Sequence, residues 1–524
     1  MPLSSPSDRP PAFPWTGHLW INLFWMGLNI RNNAVGALFL PFLVDQFVQE
    51  SARNTSLGLL RTAGLIVAML AQPAAGLLSD RSTSRFGRRR PFIFVGVLLD
   101  LLLLAAIALS WNFPTLLAAV LLFQVSSNIS HGPLQGLIPD LVPIEQRGIS
   151  SAVKSIFELL PLILVGAAVA PLVSAGQFPM AVAATGSALL LTMLVTVLWV
   201  KEPRYIPAVE GTQPVAAPML RVLGMLAGIG LGGLAGLVAG AVLGGILGVL
   251  TAILAGPQAG QAAGIAAATL TAMLAASGVG VWSGVRAALG STRGDPHLAA
   301  RRPFSWWILN RLLFLAAITS IQGFAPFFLM DTFAIDREAA AGMTGGLMTM
   351  VGLFTLLTAL PGGWLADRYG VLRVLTASGI AAAIGAFMLL GAIWSPAPAL
   401  ISAAGAVLGL ATGLFMTANW ALGTRLVPRE QAGRYLGISN LAGAGAGMIG
   451  SGIGGPAADA VNALYPGMGY FVIFTCYGAL FLASAISLLP VRRAARAAEM
   501  PAGQMPDTGA QGSPALQRPP TPPG

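Results

Sequence analysis

The sequence predicts an all-α membrane protein of two pseudo-symmetric six-helix bundles plus a central two-helix insert, fourteen transmembrane helices in all. Three observations carry this. The 524 residues are 55% hydrophobic and only 9% charged, against about 25% charged in a soluble domain. The apolar residues come in long uncharged runs, close to the ~20 residues that span a bilayer as a helix with every backbone group paired internally. Two motifs also recur at nearly one offset along the chain.

The runs lie near 16–46, 56–78, 91–111, 114–138, 150–174 and 179–200, then 220–254 and 262–289, then 304–330, 342–366, 371–393, 397–423, 435–455 and 467–490. The expected organisation is a disordered N-terminal tail (1–15), a six-helix bundle (16–202), a linker with a Gly-rich hairpin (203–303), a second bundle (304–490) and a disordered cytoplasmic tail (491–524). Residues 1–14 are Pro-rich and polar, with no cleavable signal pattern, so the first run is expected to be a retained helix.

The net charge of +10 suggests nucleic acid only if the basic residues cluster on one surface. Here they are spread over short loops, which is a topology signal. With both termini placed in the cytoplasm, Arg53 and Arg337 are the basic residues that fall in outer loops. This implies a multi-pass protein of the cell inner membrane. The single cysteine, Cys476, excludes a disulfide framework and a Cys-based metal site. No phosphate loop, metal cluster or Ser/His/Asp constellation is present, so neither catalysis nor a cofactor is expected.

The repeat is explicit. GLLSDRSTSRFGRRRPF at 76–92 follows the second run, and GGWLADRYGVLRV at 362–374 follows the tenth. Both hold G-x-x-x-D-R, as Gly76/Asp80/Arg81 and Gly363/Asp367/Arg368. LVPIEQRG at 141–148 matches LVPREQAG at 426–433. The offsets, 367 − 80 = 287 and 426 − 141 = 285, imply duplication of a six-helix unit with the insert between the copies.

These loops resemble the signature loop of the major facilitator superfamily, over about 16–200 and 304–490. The first copy, SDRSTSRFGRRRPF, closely resembles that of sucrose transporters and their glycoside–cation symporter relatives. The resemblance implies the major facilitator fold, alternating access, and a cytoplasmic charge gate of Asp80, Arg81 and Arg88 to Arg90, repeated by Asp367 and Arg368. A carboxylate there can cap a neighbouring helix N-terminus while Arg residues pair with acids or lipid headgroups. The chain departs from plant sucrose transporters in the fourth run, where Gln124 stands for an Asp, Ser127-Asn128 for an Asn pair and Gln135 for an Arg. The drug-antiporter signature of the fifth helix is also missing.

Polar residues inside lipid are costly and usually face protein or water. Gln124, Asn128, His131 and Gln135 share one face of the fourth run. Asn22, Met26, Asn29 and Asn33 share one of the first run. Thr319 and Gln322 lie three apart in the ninth run, and Thr412, Met416 and Asn419, with Trp420 beside them, in the twelfth. These are the first and fourth helices of each half, which line the cavity in the resembled superfamily. Amides, hydroxyls and an indole suit a neutral polyol or sugar. The competing expectation is interhelical glue at ~0.6 kcal/mol per contact.

Ionisable residues in the spans should be paired. Arg31, Asp100, Lys154 and Glu158 are the candidates. Glu158 can pair with Lys154, one turn away, or with Arg31. Burial favours the neutral acid and a neighbouring cation favours the carboxylate, so a group between them can carry a proton. Glu158 is the first candidate for proton coupling, with Asp100 second and Arg31 as partner. A static ion pair is the competing reading. His131 reads as a hydrogen-bonding ligand.

The insert carries Gly224, Gly228, Gly232, Gly236, Gly240, Gly244 and Gly248 at a strict period of four. One long helix with a nearly bare face is expected, turning at GPQAGQ (256–261) and packed on a returning partner or on a second copy. The expected state is a monomer, with a dimer through this face as the alternative. Three function classes fit: proton-coupled transport of a sugar-like small molecule, efflux of amphiphilic compounds, and non-transport assembly of a membrane pigment–protein complex. Partners are a small-molecule substrate, a proton and membrane lipid.

Overall fold

The computed structural model describes residues 13–202, 216–289, 298–427 and 432–499. The expected tails at 1–12 and 500–524 and the linker at 203–215 lie outside the described residues. So does half of the second LVPREQAG copy, from 428 to 431.

The first half holds α1 (Trp15–Ala34, a π segment Val35–Phe39, then Leu40–Phe47), α2 (Arg53–Asp80), α3 (Arg90–Ala108) and α4 (Phe113–Leu141). It continues with α5 (Arg147–Leu164, a π segment Val165–Val169, then Ala170–Ser174) and α6 (Phe178–Trp199). The insert is α7 (Ala216–Ala255) and α8 (Pro257–Leu289). The second half is α9 (Leu298–Phe333), α10 (Arg337–Tyr369), α11 (Val371–Trp394), α12 (Pro398–Leu426), α13 (Ala432–Asn462) and α14 (Met468–Ile486). Twelve of these are apolar and long enough to cross a membrane, and α1 and α13 complete the fourteen.

The duplication is visible in the packing. Within the first half α1 packs on α5 and α6, α4 on α2 and α3, and α3 on α6. Within the second half α9 packs on α13 and α14, α12 on α10 and α11, and α11 on α14. Each pairing has its counterpart six helices on, once the insert is set aside. The halves meet through α2 on α13 and α5 on α10, again an equivalent pair. α9 is buried along most of its length, whereas α7 faces outward.

The glycine face of α7 is filled by α8. A Cβ at Gly232 would lie 2.6 Å from the Ala275 carbonyl, at Gly240 2.6 Å from Ala268 Cα, and at Gly244 2.4 Å from the Gly264 carbonyl. In this structure the partner of that face is the returning helix of the same chain, the first of the two packings expected. The turn is also tighter than expected. Gly256, at φ +96°, is alone between the two helices, and Pro257 starts α8, where its missing N–H costs nothing. α8 then docks on α13 and α14, and α7 reaches α2. Gly240→Leu is expected to lower the detergent melting midpoint by several degrees, since overpacking costs about 1–3 kcal/mol. Gly245→Leu, which meets nothing within 4 Å, is the control that should melt as the parent does.

One boundary is corrected. Residues 491–499 were expected in a disordered tail, yet Leu489–Glu499 forms a short helix, α15, packed on α9. Leu488 and Val491 are buried at its start. This apolar anchor, with an Ala/Arg-rich continuation that favours helix, holds the segment.

Candidate functional site

Most of the polar stripes bond to their own helices. Asn29, Asn33 and Asn128 donate to the carbonyls of Trp25, Asn29 and Gln124, one turn back. Thr319 and Thr412 do the same to Leu315 and Leu408. Asn22 is a correction. It is fully buried and donates to the Ser150 carbonyl and Oγ, both at 3.0 Å, so it joins α1 to α5 rather than facing a cavity. Asn419 is also fully buried. It donates to Asn310 Oδ1 and accepts from Arg311 Nη1, each at 3.0 Å. Gln124 lies against Gly64 of α2, and Gln322 is half-buried. Gln135 is exposed, 3.3 Å from His131.

The structure brings together a smaller set, on five helices. Trp25 of α1 meets the His131 ring of α4 edge-on at 5.3 Å. Lys154 of α5 sits 4.0 Å over the Trp25 ring and 2.8 Å from Glu158. Glu158 in turn acts electrostatically on Arg311 of α9. Arg311 lies 5.7 Å over the Trp420 ring of α12 as well as bonding Asn419. The contacts His131–Trp25–Lys154–Glu158 thus lie in the first half, and Arg311 with Trp420 and Asn419 in the second. Lys154 and Glu158 are partly exposed, 28% and 35%.

Of the two partners open to Glu158, the structure takes Lys154. Arg31 instead pairs with Asp100 of α3, and both are 0% exposed. Ser126 of α4 donates to Asp100 Oδ1 at 2.5 Å, and Arg31 donates to Asn32 Oδ1 at 2.8 Å and lies over the Phe123 ring. Three helices meet on this sealed pair. Arg61 of α2 was not singled out in the sequence as a site residue. It donates to the carbonyl of Gly36, inside the π segment of α1, and at 3.5 Å to that of Thr319 on α9. Such single-turn bulges release carbonyls from the helix ladder. The signal for Arg61 and Arg311 was present all along: each is a costly charge within a span with no acid beside it on its own helix.

At the Asp80 end, the expected gate is a network within the first half. Arg89, 8% exposed, bonds Asp80 at 2.5 Å and Asp140 at 3.0 Å, and Arg88 bonds Asp140 at 2.5 Å. Asp80 does not cap a helix. That role belongs to Glu202, whose carboxylate accepts from the N–H groups of Arg89 and Arg90 at 2.9 Å each, at the start of α3. In the second half Asp367 meets Arg425 at 3.7 Å, both largely exposed, a pair worth little. Arg368 lies over Trp364 and Tyr369. The 285-residue offset aligns Arg425 with Asp140. The charge at that position has changed sign, so Asp367 meets a base directly where Asp80 needs Arg89 as a bridge.

At the opposite end the contacts cross between the halves. Arg53, starting α2, pairs with Asp45 of α1 and with Asp331 of α9. Asp331 accepts from the Tyr470 hydroxyl at 2.8 Å. Asp459 of α13 accepts from Asn54 Nδ2 at 2.8 Å and Thr55 N–H at 2.7 Å, capping α2 from the other half. Small residues close the seam behind them. A Cβ at Gly58 would lie 2.4 Å from the Ser451 carbonyl, one at Gly455 2.3 Å from that of Asn54, and one at Gly166 2.3 Å from that of Gly345.

Comparison with known proteins agrees with this architecture. Residues 24–292 match the family model described as MFS/sugar transport protein, and residues 307–520 the one described as Major Facilitator Superfamily. The chain is 32% identical over 112 residues to the sucrose transport protein SUC3 of Arabidopsis thaliana, covering 17% of this chain and 19% of that protein. It is 37% identical over 102 residues to the proton-associated sugar transporter A of Mus musculus, 16% of this chain and 14% of that protein. The matches thus span less than a fifth of either relative's length. Its fold is similar to that of a POT family transporter solved with 5-aminolevulinic acid (TM-score 0.64, 13% identity, covering 92% of this chain and 97% of that one). It is likewise similar to that of a D-xylose-proton symporter (TM-score 0.57, 16% identity, covering 90% and 95%).

Proposed function

Because this chain belongs to the MFS/sugar transport protein family of the major facilitator superfamily, a family of multi-pass membrane transporters rather than enzymes, we propose that it moves a sugar or sugar-like solute by alternating access, coupled to protons. The observation that carries this reading is the Lys154–Glu158 pair, a partly exposed carboxylate with its cation on α5, the helix that meets α10 of the other half. The names of a proton-associated sugar transporter and a xylose–proton symporter among its relatives and fold neighbours support the same substrate class and ion. In this reading the membrane is the inner membrane, both termini are cytoplasmic, and the Arg53 end, sealed across the halves, faces outward. Solute enters or leaves between the halves at the Asp80 end in this state.

Glu158 is the proton carrier in this reading, because Asp100 is sealed against Arg31. The test is transport by the purified protein in liposomes. The parent protein should accumulate solute under an imposed pH gradient and should also exchange labelled for unlabelled solute without one. Glu158→Gln should keep exchange within a few-fold and lose gradient-driven accumulation. Accumulation by that variant at the parental level would rule Glu158 out as the carrier.

A further inference from the structure

The two halves neutralise their charges differently at the Asp80 end. In the first half Arg88 and Arg89 meet Asp140, Arg89 also meets Asp80, and Glu202 takes the N–H groups at the start of α3. In the second half Arg302, Arg368, Arg373, Arg425, Arg492 and Arg493 lie at the same end. Among the described residues Asp367 is the acid that meets any of them, 3.7 Å from Arg425, with both groups largely exposed. Arg425 stands where the duplication puts Asp140 in the first half. That one exchange moves the balance by two charges.

The depth of these bases follows from helix lengths. Arg337 and Arg368 are 368 − 337 = 31 residues apart on α10, or about 46 Å. That matches the ~40–45 Å of a bilayer with both headgroup layers, so Arg368 lies among headgroups. It sits over the exposed rings of Trp364 at 5.2 Å and Tyr369 at 5.7 Å, the residue types enriched in this layer. Arg373, in the first turn of α11, reaches the Tyr369 carbonyl at 3.5 Å. The bases of α9 and α15 share a level of their own. Asn310 of α9 donates to the Ser484 carbonyl of α14 at 3.0 Å. Arg302 lies 310 − 302 = 8 residues before that contact and Arg492 lies 492 − 484 = 8 after it, each about 12 Å further toward the Asp80 end. Arg302 and Arg493 are exposed, while buried Leu488 and Val491 anchor α15 beside them.

Orientation in the membrane explains why bases stand at this end. It does not require that they be held against aromatic rings or on a docked helix and left almost without acids. We propose that the second half carries, at its Asp80 end, a binding surface for anionic phospholipid headgroups. Arg368, Arg373 and Arg425 with Trp364 and Tyr369 form one cluster, and Arg302, Arg492 and Arg493 a second. A guanidinium matches a phosphate in charge and in its paired donors, and each base near an anionic leaflet adds to the attraction. The first half has less to offer, because Arg88 and Arg89 already hold carboxylates. The surface rests on the membrane architecture alone and is independent of the solute.

The test uses the full-length protein in nanodiscs of phosphatidylcholine and phosphatidylglycerol, with a phosphatidylglycerol probe that is photoactivatable at its headgroup. Crosslinks should fall within 364–373 and 489–494. Lipid retained through detergent purification should be enriched in phosphatidylglycerol about tenfold or more, and the enrichment should fall as salt is raised. Arg368→Gln/Arg373→Gln/Arg425→Gln should lose the first set of crosslinks and keep the second, and Arg492→Gln/Arg493→Gln should do the reverse. The set each variant keeps is its own control for folding. Lysine at the same positions should preserve most of the binding, since the charge remains. Arg85→Gln/Lys201→Gln, which removes two bases from the first half, should leave the enrichment unchanged. Crosslinks spread evenly over both halves, or an enrichment that the Gln variants do not lower, would overturn the proposal. Displacement of the probe by an equal concentration of glycerol 3-phosphate would overturn the lipid as occupant.

Discussion

Asp100→Ala is expected to destabilise the protein by about 3–5 kcal/mol, the usual result of removing one partner from a buried ion pair. Arg31 would be left fully buried, beside Asn32 and the Phe123 ring. Ser126 would lose the acceptor it holds at 2.5 Å. Since α1, α3 and α4 meet on this pair, the whole first half should loosen. The double variant Arg31→Leu/Asp100→Leu removes both charges and should recover much of the loss, because a well-packed apolar pair often replaces a buried ion pair at no net cost. Melting curves in detergent and the yield of monodisperse protein are the measurements. If the single variant melts no lower than the double, the pair does not hold the bundle.

Gly58→Leu is expected to open the Arg53 end. The new Cβ would lie 2.4 Å from the Ser451 carbonyl, a backbone atom of the opposite half that cannot swing away as a side chain would. Overpacking of about 1–3 kcal/mol against the closed seam corresponds to roughly a 5- to 150-fold shift in the ratio of conformations. The readout is labelling of Thr319→Cys by an impermeant maleimide added from the Arg53 side, with Cys476 replaced by Ser beforehand. Labelling should rise about tenfold and uptake should fall. Asp459→Ala, which removes the α2 cap supplied by α13, should act in the same direction but less strongly, since an N-cap is typically worth about 1 kcal/mol. Unchanged labelling in Gly58→Leu would mean that this seam is not the closed gate.

The two variants probe features of different legibility. The fourteen helices, the duplication and the glycine-lined hairpin were readable because each is written locally: an apolar run of membrane length, a motif repeated at 285 and 287 residues, a glycine every fourth position. Asp80 and Arg89 were readable as members of one charge cluster, but Asp140 and Glu202 were not. Arg89 meets Asp140 across the bundle, and Glu202 arrives from beyond α6. No spacing relates these residues, because the distances between them are set by how helices pack.

The polar stripes show the same limit from the other side. An amide or hydroxyl four residues after a carbonyl can bond back to its own helix, as Asn29, Asn33, Asn128 and Thr412 do. A stripe at helical spacing therefore satisfies itself and need not point to a ligand. The amphipathic pattern identifies a face, not what the face meets.

From the sequence alone follow the membrane class, the two-half architecture, the insert and the positions of unusual charge, since these depend on composition and on the period of a helix. Only the tertiary structure decided which charges pair. It sealed Arg31 on Asp100, paired Glu158 with Lys154, and drew Arg53, Asp331 and Asp459 into a seam between the halves. The physical reason is that an ion pair depends on the rotation, depth and crossing of two helices. Those quantities are fixed by packing across the whole bundle, and a one-dimensional pattern does not contain them.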